Sequence, residues 1–231
     1  MKILIWIVIF VMGTGTGLSA NNLKKSQKAC DAMDLKGCYK LGSMYEVGKG
    51  VEKNYTKAKD YYAKACDGGY GKGCYNLGLM HIKGLGVKKD RFIAYELYSK
   101  ACDRGEGEGC LRLGFNYNNG AGGLKKNYPK AREFYGKACD QGLTTGCYSL
   151  GYYYHNGVGV KQNYFKAKEF YSKSCDKMDI SACYYLGVLY QKGLGVKQNY
   201  SKAKELYHIA CYVGRALRGC KAHEDLYKKG Y

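Results

Sequence analysis

Of 231 residues one is proline, four are histidine, and 19 are acidic against 38 lysines and arginines. Each shortage excludes something. With Pro129 alone, proline cannot be what divides the chain, whereas 33 glycines fit short helices separated by glycine turns. His81, His155, His208 and His223 stand apart in sequence, without the clustered ligands of a zinc or hydrolytic metal centre, so neither a metal nor a cofactor is expected. Long apolar stretches are missing too. The run Ile3 to Met12 has about ten residues, against roughly 20 for a bilayer span.

That run follows Lys2 and precedes the small residues Gly13 to Ala20, so positions 1–20 read as a signal peptide cut between Ser19 and Asn21. No cysteine follows the cut to make a lipoprotein. Secretion, periplasmic or extracellular, is the expected localisation. Removal of Lys2 lowers the formal charge from +19 to +18. Nucleic acid is the usual partner of so basic a chain, but an exported, crosslinked protein rarely meets it. Lysines such as Lys57, Lys59 and Lys64 recur at helix-surface positions, where they form a solvated face. The expectation is a monomer without a nucleic-acid partner, retaining an attraction for anionic cell-surface or envelope polymers.

Twelve cysteines form six pairs: Cys30/Cys38, Cys66/Cys74, Cys102/Cys110, Cys139/Cys147, Cys175/Cys183 and Cys211/Cys220. The first members step by 36, 36, 37, 36 and 36 residues, a period that marks stacked supersecondary units. The longer step coincides with Gly120-Ala121-Gly122-Gly123, one residue longer than Gly84-Leu85-Gly86 or Gly157-Val158-Gly159, so a loop is expected there. An even cysteine count at fixed spacing behind a leader reads as structural disulfides.

Each unit reads as two helices. The first carries Cys38, Leu41 and Tyr45 as its apolar stripe, with leucine recurring at Leu77, Leu113, Leu150 and Leu186. Gly42, Gly78, Gly114, Gly151 and Gly187 lie inside it, where glycine costs about 1 kcal/mol relative to alanine, and close helix packing is the expected compensation. The second helix repeats Ala58, Ala94, Ala131, Ala167 and Ala203, then Tyr62, Tyr98, Tyr135, Tyr171 and Tyr207 four residues on. Gly48 and Gly50 and their equivalents close the turn between the helices.

Cysteines eight apart on one straight helix would sit about 12 Å apart, beyond the roughly 7 Å a disulfide tolerates between alpha carbons. The chain therefore reverses between them, and each bridge staples a second helix to the next first helix. The nine-residue spacing of Cys211 and Cys220 predicts a modified turn. The expected organisation is a capping half-repeat over 21–36, repeats over 37–72, 73–108, 109–145, 146–181 and 182–218, and a capping helix over 219–231. In that cap His223 takes the leucine place and Glu224 the glycine place.

The runs Lys-Ala-Cys-Asp-x-Gly, Gly-Cys-Tyr-x-Leu-Gly and Gly-x-Gly-Val-x-x-Asn-Tyr-x-Lys-Ala resemble Sel-one-like repeats, relatives of tetratricopeptide repeats. The paired cysteines make the chain similar to the Helicobacter cysteine-rich proteins. The resemblance implies an all-α, right-handed αα solenoid with one disulfide per repeat. It further implies penicillin binding, slow β-lactam hydrolysis and host-directed roles, but transfers no catalytic residue.

A serine β-lactamase needs S-x-x-K together with Ser-Asp-Asn and Lys-Thr-Gly elements. Ser201-Lys202-Ala203-Lys204 fits the first, yet it is the repeat counterpart of Thr56-Lys57-Ala58-Lys59, a helix start where serine and threonine cap, and neither other element occurs. His81 replaces the repeat tyrosine and reads as a half-buried aromatic substitute. Asn54-Tyr55-Thr56 and Asn199-Tyr200-Ser201 match the glycosylation pattern.

With Cys38, Leu41 and Tyr45 inward, positions 40, 43 and 47 point outward. They read Lys40, Asn76, Arg112, Ser149 and Tyr185; Ser43, Leu79, Phe115, Tyr152 and Val188; Val47, Lys83, Asn119, Asn156 and Lys192. In tetratricopeptide-like solenoids the first helices line the concave groove. The candidate ligand groove is therefore Lys40, Asn76, Leu79, Arg112, Phe115, Asn119, Ser149, Tyr152, Asn156 and Tyr185, with Phe115, Tyr152 and Tyr185 as anchors. Two functions follow: a secreted scaffold binding a protein or peptide, a host or envelope component or a penicillin-like or peptidoglycan ligand there, and, from resemblance alone, a β-lactamase.

Overall fold

The computed structural model describes residues 15–214 and 216–230, with side chains from residue 21 onward. The expected leader at 1–20 lies outside the described residues, apart from the backbone of 15–20, which belongs to the first helix. The described residues are all-helical, an αα solenoid with twelve α-helices and no strand. The chain divides into two compact units, Met1–Lys89 and Asp90–Tyr231. The first holds α1 (Gly15–Asp31), α2 (Leu35–Val47), α3 (Tyr55–Asp67) and α4 (Gly71–Lys83). The second holds α5 (Arg91–Asp103), α6 (Gly107–Asn119), α7 (Tyr128–Asp140), α8 (Thr144–Asn156), α9 (Tyr164–Cys175), α10 (Ile180–Lys192), α11 (Tyr200–His208) and α12 (Leu217–Lys228).

Helix boundaries follow from local chemistry. Asn54, Asp90, Asn127, Asn163 and Asn199 stand in extended backbone and cap the second helices, each side-chain oxygen accepting an amide of the first turn. Thr56 and Ser201 lie one residue inside, so, contrary to expectation, they are not the caps. An extended Asn reaches the third amide of its helix, as in Lys202 N–H to Asn199 Oδ1 at 2.8 Å. The first helices end on left-handed glycines, Gly48 at φ 76° and Gly157 at φ 68° among them, with the Gly48 amide donating to the carbonyl four residues back. The extra residue of the long repeat sits in a 3-10 turn at Ala121–Gly123.

Disulfides join Cys30 to Cys38, Cys66 to Cys74, Cys102 to Cys110, Cys139 to Cys147, Cys175 to Cys183 and Cys211 to Cys220, with alpha carbons 4.4–4.7 Å apart. Each closes the reversal between a second helix and the following first helix. Before α4 the reversal is held by Gly69 N–H to Cys66 O and Tyr70 N–H to Ala65 O, both 2.9 Å. Before α12, where the cysteines are nine apart, α11 runs into a π-helical turn over Ile209–Val213 that absorbs the extra residue.

The bridges are more than clips at the turns. A reversal normally runs in solvent, yet Cys30, Cys38, Cys74, Cys110 and Cys183 are 0% exposed, so they are core residues and not part of any accessible surface. For Cys38, Cys74, Cys110 and Cys183 the cause is their position one turn from the leucine of each first helix, on the face turned toward the second helices. Cys74 sits on the buried face of α4 with Leu77, Cys110 on that of α6 with Leu113, and Cys183 on that of α10 with Leu186. Cys66, Cys102, Cys139, Cys147 and Cys175 are buried as well, and the last bridge, Cys211–Cys220, is half-buried.

The rest of the core is thin and repeats with the sequence. Gly37, Cys38, Leu41, Gly42 and Met44 are the buried residues of α2. Tyr45, expected in the buried stripe, is half-buried, and position 44 replaces it inside. Met80, Tyr153 and Leu189 are the buried counterparts, and Leu226 holds the same place in α12. With half-buried Asn116 in α6, this position changes identity along the chain, so repetition did not mark it. Tyr45 instead lies flat on Tyr61, with centroids 5.6 Å apart and planes 8° apart.

Two interior tyrosines of the second helices end on side chains two residues before the turn glycine. Tyr62 donates to Glu46 Oε2 and Tyr207 to Gln191 Oε1, both at 2.6 Å. His155 holds the equivalent place opposite Tyr171, where the Tyr171 hydroxyl and His155 Nδ1 are both buried without a partner. The two hydroxyls therefore differ in worth. Tyr62→Phe strands a carboxylate oxygen and is expected to lose about 1–2 kcal/mol, whereas Tyr171→Phe removes an unsatisfied group and leaves stability unchanged or higher. Urea denaturation of the two variants checks this. Equal losses would sink the assignment.

Candidate functional site

The outward face of the first helices is built by the same packing that buries their inward face. In the first unit, Lys40 and Val47 of α2 are exposed, as is Lys83 of α4, while Ser43, Asn76 and Leu79 are half-buried. In the second unit, α6 exposes Arg112, Phe115 and Asn119, and α8 exposes Tyr152 and Asn156 with Ser149 half-buried. Phe115 and Tyr152 occupy one repeat position and are 56% and 42% exposed. Asn119 and Asn156 repeat too, each donating its amide to the carbonyl four residues back at 3.0 Å.

Tyr185 departs from the expectation of an outward anchor. It is half-buried and lies on Tyr171, with centroids 5.5 Å apart and planes 14° apart, and it also touches Tyr148 and His155. Val188 is half-buried as well. An idealised 100° rotation misses this because large rings lean toward neighbouring aromatics rather than straight out from the helix. Two aromatics, not three, stand exposed on this face.

The cysteines add no chemistry to it. Cys74, Cys110 and Cys183 open the very helices that carry Leu79, Phe115 and Tyr185, but their sulfurs are bonded and fully buried, so none is a nucleophile or a metal ligand. Their part in the site is to fix the helices that present it.

The titratable groups are placed for packing. Half-buried His81 has a buried, unpartnered Nδ1. His155 sits edge-on to Tyr164, Tyr171 and Tyr185. Desolvation, with a smaller push from Lys192, holds its pKa below the ordinary 6.5. Burial drives the Tyr171 hydroxyl far above the usual phenol range and pushes Tyr148 up to about 12. His208 and His223, distant in sequence, come together with ring centroids 5.5 Å apart. Among the described residues no three His, Cys, Asp or Glu side chains are grouped to hold a metal ion.

Ser201 is exposed in the first turn of α11, and the Lys204 ammonium lies over the Tyr227 ring at 5.0 Å from its centroid. That lysine is engaged with a ring, and a helix N-terminus of this kind occurs in every repeat.

Six disulfides belong to an oxidising, non-cytoplasmic compartment. Among the described residues no helix is long and apolar enough to cross a membrane.

Comparison with known proteins agrees with this architecture. The chain is similar to c5321, a protective antigen of uropathogenic Escherichia coli strains displaying an SLR fold, at 26% identity and a TM-score of 0.76 over 94% of this chain. It spans about half of that protein, 53% of its length. A Sel1 repeat protein from Oxalobacter formigenes is 27% identical with a TM-score of 0.70, over 90% of this chain and 89% of that one. Helicobacter pylori cysteine rich protein B is 35% identical over 58% of this chain and 96% of its own, with a TM-score of 0.45. No curated protein matches. The Sel1 repeat family profile matches residues 35–70, 71–106, 107–143, 144–177 and 180–214, and on this the chain belongs to the Sel1 repeat family.

Proposed function

We propose that the chain is an exported, disulfide-stapled scaffold that binds a protein or peptide segment on the outward face of its first helices. The observation that carries this reading is the pair Phe115 and Tyr152, large aromatics held in solvent at one repeat position while the tyrosines around them are packed. Exposed aromatics flanked by adaptable polar groups, here Arg112, Asn119, Ser149 and Asn156, make up the composition of binding hot spots. Membership of the Sel1 repeat family supports a protein-binding reading, and the six bridges hold the helices in register so that little ordering is needed on binding.

Peptides selected from a displayed library on the immobilised protein test the reading. Phe115→Ala/Tyr152→Ala is expected to weaken the selected peptides by about 30-fold, corresponding to about 2 kcal/mol, with an unchanged melting temperature. Undiminished affinity removes this face as the binding surface. β-Lactam turnover rests on family resemblance, and the same preparation assayed with a chromogenic cephalosporin before and after Ser201→Ala separates an enzyme from a scaffold.

A further inference from the structure

Two consecutive repeats of the second unit hold a lysine over each ring of an aromatic stack. In one, the Lys130 ammonium lies 5.2 Å from the Tyr117 centroid, Tyr117 stacks on Phe134 at 5.7 Å with planes 3° apart, and Lys137 lies 5.3 Å from Phe134. In the next, Lys166 lies 5.1 Å from Tyr154, Tyr154 stacks on Phe170 at 5.7 Å with planes 5° apart, and Lys173 lies 5.2 Å from Phe170. A ring face attracts an ammonium without neutralising it. The contacts place each of these ammonium groups beside a ring.

Their surroundings divide them. Lys137 faces Asp103 and Glu133, and Lys173 pairs with Glu169. Among the described residues Lys130 and Lys166 pair with no carboxylate, and neither does Arg132, which donates a long 3.4 Å bond to the Gly159 carbonyl. Against the second stack opens a cleft of about 540 Å³ lined by Pro129, Lys130, Arg132, Leu150, Tyr154 and Phe170, and the Lys166 ammonium lies over the Tyr154 ring of that lining. The acid at its wall, Glu133, is committed to Lys137 at 3.6 Å. The cleft thus combines an apolar floor with uncompensated positive charge.

The lining decides what kind of anion fits. Tyr154 and Phe170 stack on each other, and each ring also carries a lysine ammonium near it. Pro129, Leu150 and Phe170 offer apolar surface for an aliphatic or aromatic side chain beside the cations Lys130 and Arg132. We propose that this cleft receives an acidic, extended segment of a partner protein, its carboxylates at Lys130, Arg132 and Lys166 and an apolar side chain on Pro129, Leu150 and Phe170. Tyr154 lies about 200° around α8 from Tyr152, so this surface is separate from the outward face and does not rest on it.

The probe is a fluorescein-labelled peptide of Asp and Glu interspersed with Leu and Phe, followed by fluorescence anisotropy at physiological salt. Saturable binding is expected. Lys130→Glu/Arg132→Glu/Lys166→Glu should weaken it by about tenfold or more, while the same charge change at Lys221, Lys228 and Lys229 at the C-terminal end should weaken it by about twofold or less. The neutral triple Lys130→Gln/Arg132→Gln/Lys166→Gln gives the same ordering if the reversal impairs folding. A peptide with glycine for every Leu and Phe is expected to bind about tenfold more weakly. Equal losses from the cleft and C-terminal triples, binding indifferent to the apolar residues, heparin competing at equal charge concentration, or no saturable binding each overturn the proposal. Phe115→Ala/Tyr152→Ala leaves this binding unchanged, so failure of one surface is distinguishable from failure of the other.

Discussion

Reducing the six disulfides is expected to abolish cooperative folding at 37 °C, and removing one bridge to lower the melting temperature by about 4–12 °C. Closing a loop as short as eight residues removes chain entropy from the unfolded state worth about 2–3 kcal/mol, and for a chain of this size each kcal/mol moves the midpoint by about 2–4 °C. Whole domains are stable by about 5–15 kcal/mol. Six closures, even if far from additive, are therefore comparable with the total. The core supports the same conclusion, because each repeat buries little more than two alanines, a tyrosine, a leucine, the residue three after it and its own cysteines, as Ala131, Tyr135, Ala138, Cys139, Cys147, Leu150 and Tyr153 illustrate. Since Cys74, Cys110 and Cys183 have no contact with solvent, a reductant reaches their bridges only through local opening, and reduction should lag behind the addition of reductant at temperatures well below the melting point.

The bridges are not equivalent. Asp34 and Asp179 cap α2 and α10 through their side chains, whereas α4, α6 and α8 begin behind Tyr70, Glu106 and Leu143 without a side-chain cap. A cap is worth about 1 kcal/mol. Where it is missing, the disulfide and backbone hydrogen bonds secure the first turn without a side chain's help. Cys139→Ala/Cys147→Ala, ahead of α8, should therefore cost more than Cys175→Ala/Cys183→Ala, ahead of α10. Circular dichroism melts with and without a phosphine reductant, on the native chain and the two double variants, measure both claims. A reduced chain that melts at the native midpoint would refute them.

Legibility in the sequence tracked repetition. The cysteine period, the leucine and alanine positions and the turn glycines recur from unit to unit, and a feature copied five times can be read without a structure. What varies between copies was not readable that way. Position 44 is buried as methionine, tyrosine or leucine, so identity did not expose it, and Tyr185 faces into an aromatic cluster that depends on Tyr148 and Tyr171 arriving from other helices. Spacing told which cysteines pair, but not that Cys74, Cys110 and Cys183 would be wholly enclosed, since enclosure needs the second helices laid over them. The lysine-bordered cleft was hidden for a related reason. Lys130 and Lys166 look like ordinary surface lysines until Tyr117 and Tyr154 are seen beneath them, and only the counter-acids of Lys137 and Lys173 reveal which cations are uncompensated. His208 and His223 likewise meet only because α12 folds back on α11.

Two glycine-to-alanine substitutions in neighbouring helices of the second unit should move stability in opposite directions. Gly151 lies inside α8, and a methyl group there would stand 2.5 Å from Cδ1 and 2.6 Å from Cε1 of Tyr171. That ring is fully buried and cannot swing aside, so the helices must separate, a strain of about 1–3 kcal/mol that outweighs the helix-propensity gain of alanine. The same approach recurs at Gly42 on Tyr62, Gly114 on Tyr135 and Gly187 on Tyr207, at 2.6–2.7 Å, which makes it a property of the repeat. Gly136, inside α7, has nothing within 4 Å of the added methyl. The first repeat already has Ala63 at this position, and Gly136→Ala is expected to stabilise by about 0.5–1 kcal/mol through the unfolded state and helix propensity. Gly151→Val, with more volume against the same ring, should lose still more than Gly151→Ala. Chemical denaturation of the three variants decides the matter: a Gly151→Ala protein as stable as Gly136→Ala would mean that the first and second helices are not held ring against backbone, and the packing that orients Tyr152 away from the core would need another cause.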